Sequence, residues 1–192
     1  MEKGLRIYLF RHGQTTYNRD KRFTGWRDPE LTRLGKEQAR VIARKLKGKK
    51  FEVAFQTRLK RSKETLKEVL KYHPECRKVV IDDRMIERNY GKLNGVLHKD
   101  FIAEYGQGEF DKIHRGFSVK PSKGESFAIV EKRVKSFIDD LKKLMKKEKV
   151  NVAISAHGNS IRLFRKLMEK ANVKKTVSWT IPYLDYFEYT IW

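Results

Sequence analysis

Cysteine is all but missing from this chain: Cys76 stands alone among 192 residues. One thiol excludes an intramolecular disulfide, and a reducing compartment is expected. No apolar run approaches the length of a membrane-spanning helix. The N-terminus carries no apolar core followed by a cleavage site, so no signal peptide is expected. Together these absences predict a cytoplasmic protein without a membrane partner. No G-x-x-x-x-G-K-[ST] or G-x-G-x-x-G loop is present, and no ligand spacing such as H-E-x-x-H. Metal catalysis is therefore not expected, and Asp82-Asp83 reads as a turn. Acid is also in short supply, with 24 Asp and Glu against 45 Lys and Arg, a net charge of +21.

Such a charge can serve nucleic acid, an anionic surface or the steering of a small anionic substrate. The basic residues are spread over nearly every helical segment instead of forming one stripe or tail, which reads as a solvated surface. No nucleic-acid motif accompanies them, so no nucleic-acid partner is expected. The oligomeric state is left open, and a homo-oligomer is compatible with the sequence. With 39% hydrophobic residues, the 192 residues suit a single domain, 1–192, with a substantial core.

Two short stretches organise the chain. Leu5 to Phe10 is an apolar run ending in Arg11-His12-Gly13, and Val150 to Ser155 is another, ending in Ala156-His157-Gly158. Length favours strands for both. Between them, Leu34, Gln38, Val41, Ile42 and Leu46 predict one face of a helix that Thr32 caps and Gly48 ends. Phe51 to Phe55 predicts a strand, Leu59 to Leu70 a basic helix broken by His73-Pro74, and Val79 to Ile81 a third strand. Helical spacing is clearest from Ser126 to Met145, and Ser160 to Lys170 predicts another helix. Thr176 to Ile181 and Leu184 to Ile191 read as closing strands on either side of Pro182. Strands alternating with helices predict an α/β three-layer sandwich: a mostly parallel central sheet, helices on both faces, and an antiparallel edge. Residues 14–30 and 84–95 are irregular and rich in polar side chains, as functional loops are.

In open α/β sheets ligands bind at the carboxyl ends of strands. Arg11, His12 and His157 meet there if their two strands are neighbours. A further guanidinium comes from the segment after the second strand, where Arg58, Lys60, Arg61 and Lys63 all compete for the role. Guanidinium forks match phosphate oxygens, and a neutral imidazole keeps one nitrogen free to accept a phosphoryl group. Glu87, in the loop after the third strand, is placed to serve the leaving oxygen as an acid. It is equally placed for an ion pair with Arg84 or Arg88.

These residues carry a resemblance. Leu9-Phe10-Arg11-His12-Gly13 is similar to the R-H-G signature of the histidine phosphatase (phosphoglycerate mutase-like) superfamily. The segments N-R-D-K-R-F-T-G-W-R-D from Asn18, E-R-N-Y-G-K-L-N-G from Glu87 and A-H-G-N-S-I-R from Ala156 resemble the 2,3-bisphosphoglycerate-dependent phosphoglycerate mutases. So do R-G-F-S-V-K-P from Arg115 and G-E-S-F from Gly124. The resemblance implies that His12 is the nucleophile and becomes phosphohistidine. It implies that Arg11, Arg61 and His157 hold the phosphoryl oxygens, and that Glu87 is the general acid and base. It selects Arg61 among the competing cations. Asn18, Thr24, Gly25, Tyr90 and Asn159 match positions that line the substrate site. The implied partner is a small phosphorylated substrate, and the implied cofactor is 2,3-bisphosphoglycerate as phosphoryl primer, with no metal.

This chain also departs from the mutase pattern. His98 stands where these mutases carry a lysine, and His114-Arg115 where they carry paired arginines. Both histidines are expected to hold substrate, through a charge that fades above about pH 6.5. The cover over the site, about residues 96–123, is shortened, with Pro121 running almost directly into Gly124. The chain ends at Trp192 without the family's long tail. The resemblance thus implies a mutase interconverting 3-phosphoglycerate and 2-phosphoglycerate. The short cover keeps a second reading, a histidine-type phosphatase of the same mechanism acting on small phosphate esters. For Phe23 and Trp26, loop packing and substrate contact are both open.

Overall fold

The computed structural model describes residues 4–192. One sheet is built from β1 (Leu5–Arg11), β2 (Val53–Gln56), β3 (Lys78–Ile81), β4 (Val152–Ala156) and β5 (Tyr186–Ile191). Their order across it is β3-β2-β4-β1-β5. The first four strands run parallel and β5 joins β1 antiparallel, as expected. Helices α1 (Thr16–Arg19), α2 (Arg33–Leu46) and α3 (Lys60–Leu70) come from the first half of the chain. The second half supplies α4 (His98–Tyr105), α5 (Gln107–Arg115), α6 (Phe127–Glu148), α7 (Gly158–Glu169) and α8 (Val173–Ser178).

The continuous apolar run of β1 follows from its place between two strands and two helical layers. Ile7 and Leu9 pack into the core under α6 and α7, with Val134, Phe137, Ile161 and Phe164. Tyr8 and Phe10 face the other way, against Ile42 and Leu46 of α2 and Leu66 and Val69 of α3. A strand covered on both faces has no polar side to show. Ser126 caps α6 through its hydroxyl, which accepts from the Ile129 N–H at 3.2 Å. Thr32 does the same for α2, accepting from Gly35 N–H at 2.9 Å.

Gly35 also lets α2 press against the turn after His12. A Cβ on Gly35 would stand 2.0 Å from the Gln14 carbonyl, and one on Gly13 would stand 2.1 Å from the Gly35 carbonyl. Two facing glycines are what this backbone contact requires.

Two expectations need correction. Residues 176–181 are not a strand: Asn172 caps α8, its side chain accepting from Lys175 N–H at 2.9 Å. Thr176 is buried and donates its hydroxyl to the Asn172 carbonyl, so the β-branched pair Thr176-Val177 is held helical by its cap and its packing. In α2 the inward face is Gly35, Gln38, Ala39, Ile42, Ala43 and Leu46, and Leu34 is exposed. Gly35 stands on that face beside the outward Leu34 because α2 presses against the turn after β1.

The cover is made by α4 and α5, divided at Gly106, whose φ of +85° is open to glycine. Pro121 to Gly124 is a tight turn, closed by Gly124 N–H donating to the Pro121 carbonyl at 2.8 Å. It leads straight into the cap of α6. Among the described residues no helix is long and apolar enough to cross a membrane.

Candidate active site

β1 and β4 are neighbours in register, Arg11 opposite Ala156, so both His-Gly turns leave the sheet side by side. The His12 N–H still pairs with the Ala156 carbonyl at 3.1 Å. The rings of His12 and His157 lie 5.0 Å apart, tilted by 56°. Both are almost wholly buried.

His12 Nδ1 lies 2.7 Å from the Gly13 carbonyl. A carbonyl only accepts, so Nδ1 carries the proton and Nε2 keeps its lone pair. Burial, then the charges of Arg61 and Arg11, push the His12 pKa well below its ordinary value of 6.5. The imidazole is thereby neutral and nucleophilic at ordinary pH. His157 is lowered in the same way, by burial first and then by Arg61 and His12.

Arg61 is the buried cation of its segment, with 1% exposure. Its Nη1 and Nη2 donate to the carbonyls of Arg27 and Gly25 at 2.6 and 2.9 Å. Burial brings its pKa down to about 10, although Glu87 and Asp28 counter the shift. Arg58 instead pairs with Asp83 at 2.7 Å and lies over Trp26. Arg11 donates to the Ile181 carbonyl at 3.0 Å and lies 4.1 Å over the Tyr183 ring. Four buried nitrogens here lack any partner among the described residues: Arg11 Nε, Arg61 Nε, Arg115 Nη1 and His157 Nδ1. Unsatisfied buried polar groups are costly, and an anion would satisfy the three guanidinium donors among them.

Glu87 is not ion-paired with Arg84 or Arg88. Arg84 is taken by Asp82 and Asp140, both at 2.7 Å. Arg88 gives its guanidinium to the carbonyls of Glu125, Ile113 and Val119, tying the cover to the start of α6. The Glu87 Oε1 accepts two backbone N–H groups, from Arg88 at 2.8 Å and Asn159 at 3.1 Å. That holds the carboxyl in place and leaves Oε2 for proton exchange.

A cavity of about 290 Å³ opens beside these groups. Its wall includes Arg11, Asn18, Thr24, Gly25, Glu87, Tyr90, His98, His114, Arg115 and Asn159, and so gathers every expected substrate contact. His12, Arg61 and His157 lie buried behind that wall. Phe23 is both packing and wall: it is buried against Tyr90, His98, Phe101 and Phe110 while bordering the cavity. Trp26 is not in the wall; its Nε1 donates to the Glu87 carbonyl at 2.9 Å.

His98 and His114 do not carry the expected charge. Burial, with Lys21 nearby, lowers the His98 pKa to about 4. Burial, then Arg115 and His98, lowers that of His114 to about 3. Both rings sit within the aromatic cluster of the cover, 5.5 Å from each other, and are neutral above pH 5.

Sequence reasoning missed Arg162. It reaches the cavity from α7, donating Nε to the Trp179 carbonyl at 2.9 Å and Nη1 to Asn159 Oδ1 at 2.7 Å. Its signal was spacing: one helical turn beyond Asn159, it shares that residue's face. Burial, with Arg115 and Arg11 close, brings its pKa down to about 10. Also missed were Thr57, Ser62, Thr65 and Ser155, small hydroxyl residues that brace the site. Thr65 Oγ1 accepts from the Gly13 N–H at 3.1 Å and donates to the Arg61 carbonyl at 2.8 Å. Among the described residues, no group of three or more His, Cys, Asp or Glu side chains converges as metal ligands would.

A neutral imidazole with a free nitrogen, set among guanidiniums whose buried Nε–H groups find no partner among the described residues, is equipped for phosphoryl transfer on an α/β scaffold. The chain belongs to the histidine phosphatase superfamily (branch 1), whose family model matches residues 7–191. A 2,3-bisphosphoglycerate-dependent phosphoglycerate mutase from Methylorubrum populi is 36% identical over 180 residues, covering 91% of this chain and 84% of that protein. The fold is shared with a mycobacterial glucosyl-3-phosphoglycerate phosphatase solved with VO3, at TM-score 0.81 and 21% identity, with 98% of each chain covered. It is shared also with a phosphoglycerate mutase from Bacillus anthracis, at TM-score 0.73 and 24% identity, with 88% of this chain and 81% of that one covered.

Proposed function

We propose that this enzyme is a 2,3-bisphosphoglycerate-dependent phosphoglycerate mutase interconverting 3-phosphoglycerate and 2-phosphoglycerate. The observation that carries the reading is a second group of cations, apart from the Arg11, Arg61 and His157 that surround His12. Arg115 and Arg162, with Lys21 and Arg22, border the same cavity, whose one carboxylate among the described residues is Glu87. Such a site suits a substrate with a second anionic group beside its phosphate, as a phosphorylated carboxylate has. The identity to curated mutases supports the same reading.

The orphaned donors Arg11 Nε, Arg61 Nε and Arg115 Nη1, with His157 beside them, suit a bisphosphate primer as well as the substrate. When bound, 2,3-bisphosphoglycerate supplies the phosphoryl group that first loads His12. In the loading step the His12 Nε2 lone pair bonds to phosphorus while the P–O bond to the leaving oxygen breaks. Arg11, Arg61 and His157 hold the three equatorial oxygens, where the charge spreads. Glu87 gives its proton to the leaving oxygen. In the return step Glu87 takes the proton of a substrate hydroxyl, the hydroxyl oxygen bonds to phosphorus, and the N–P bond breaks.

A second reading, a phosphatase of the same mechanism, is favoured by the tight Pro121–Gly124 turn, which leaves little chain to cover the site. Water attack on phosphohistidine would then compete with return to substrate. Conversion of 3-phosphoglycerate to 2-phosphoglycerate, measured with the primer titrated and phosphate release recorded alongside, decides between them. Primer-dependent conversion in excess of phosphate release supports the mutase. Phosphate release without conversion establishes the phosphatase.

A further inference from the structure

The His157 ring is wholly buried, and its two nitrogens are treated differently. Nε2 lies 2.8 Å from the Thr57 hydroxyl, while Nδ1 makes no hydrogen bond among the described residues. Thr57 is also fully buried, and this is its hydroxyl's one hydrogen bond among the described residues. Its backbone is fixed too: Thr57 N–H donates to Ser62 Oγ at 3.1 Å, and Ser62 Oγ donates to the Ser155 carbonyl at 2.8 Å. Ser155 Oγ returns a bond to the Ser62 carbonyl at 2.9 Å, so α3 and β4 are locked together directly behind the histidine.

Two proton arrangements fit the Thr57–His157 contact. If Nε2 held the ring proton and donated to Thr57, the hydroxyl hydrogen would have no acceptor. Nδ1 would then be a buried lone pair, presented to the same space as the guanidiniums' anion. If the hydroxyl donates to Nε2 instead, every group but one is satisfied, and the exception is an Nδ1–H donor. An N–H there attracts a phosphoryl oxygen; a lone pair repels it.

We infer that Thr57 is a positioning residue that fixes His157 as the neutral Nδ1–H tautomer, making it a hydrogen-bond donor to the transferring phosphoryl group. The inference rests on the reading of His12 and His157 as one phosphoryl site, and it holds for a mutase and a phosphatase alike. A neutral imidazole has to be told which nitrogen carries the proton, because charge does not settle it. Thr57 supplies that instruction without touching the substrate.

Nitrogen NMR of isotope-labelled histidine, with His157→Gln to assign the signal, reads the tautomer directly. The expected result is a protonated Nδ1 and an unprotonated Nε2 in the wild-type protein. The rate of His12 phosphorylation by p-nitrophenyl phosphate is then compared in Thr57→Val, which keeps the shape, and Thr57→Ser, which keeps the hydroxyl. Loss of one preorganised donor predicts a fall of about 10²–10³-fold in that rate for Thr57→Val. Thr57→Ser restores most of it. A wild-type His157 with its proton on Nε2 overturns the inference, whether or not Thr57→Val folds. So does a Thr57→Val protein that transfers at the wild-type rate, or a Thr57→Ser protein as slow as Thr57→Val. A wild-type His12 that takes no phosphoryl group refutes the reading of the site itself, and the tautomer measurement remains separate from that result.

Discussion

The Asn159 backbone N–H donates to Glu87 Oε1 at 3.1 Å, joining the first turn of α7 to the loop after β3. With the Arg88 N–H on the same oxygen, the carboxyl is fixed on one side and free on the other. A group so placed can exchange a proton without moving.

Glu87→Gln keeps the size of the side chain and removes the exchangeable proton. The expected loss is about 10²–10⁴-fold for alkyl phosphates, whose alkoxide must be protonated as it leaves. An aryl phosphate with a good leaving group needs little help and is expected to lose far less. Single-turnover rates with both kinds of ester test this, and an equal fall in both refutes the acid role.

His12 is expected to form an acid-labile, base-stable phosphoryl adduct with 2,3-bisphosphoglycerate, and His12→Ala to form none. The pH dependence follows from its environment. In the proposed transfer neutral imidazole is the nucleophile, and burial with Arg61 and Arg11 places its pKa well below 6.5. Adduct formation should therefore persist as pH falls through 6.5, where an ordinary histidine would be half protonated. Quenched-flow rates between pH 5 and 7 that halve near 6.5 would contradict this.

The cover histidines give a stability prediction. In the unfolded chain His98 and His114 titrate near 6.5, and in the folded protein near about 4 and about 3. Between those values the unfolded state binds more protons, so stability rises with pH. Their contribution is complete above 6.5 and is lost progressively as pH falls toward 4 and 3. His98→Gln with His114→Gln should flatten the decline in melting temperature from pH 6.5 to 4. Because both rings are neutral from pH 5.5 to 8, the double variant should leave the pH dependence of substrate affinity unchanged over that range. A parent protein whose affinity alone drops near pH 6.5 would show that these rings are charged when substrate binds.

How much of this was legible beforehand depended on the kind of signal. The strand runs at Leu5 and Val150 are buried on two faces, so their composition announced them, and the turns that follow bring His12 and His157 together. Thr32 was readable as a cap because capping is local. The pairing of β1 with β4 was not readable, since register between distant segments leaves no local mark. Thr176-Val177 misled because a cap four residues earlier outweighed β-branching. His98 and His114 both border the cavity, but their charge depends on burial beside Phe23 and Phe110, which only packing reveals. Thr57 was invisible because a lone threonine becomes a partner for His157 only across 100 residues of chain.

Arg162 offers the sharpest test of what the second group of cations is for. Two of its donors hold the Trp179 carbonyl and Asn159 Oδ1, and the guanidinium borders the cavity with Arg11 and Arg115. Three guanidiniums that repel one another are costly to keep together unless an anion is bound among them. The charged ligand group lost on replacement is worth about 1.5–3 kcal/mol, or roughly 10–150-fold in affinity. Glycerol 3-phosphate and 3-phosphoglycerate share the phosphate and differ by the carboxylate. Arg162→Met should therefore weaken 3-phosphoglycerate by at least about tenfold more than glycerol 3-phosphate. Arg162→Lys, which keeps the charge but loses the fork, should fall between the two. Titration calorimetry with both ligands on all three proteins measures the difference. Equal weakening of the two ligands by Arg162→Met would mean that Arg162 only supports Asn159, and that the second anion is held by Arg115 without it.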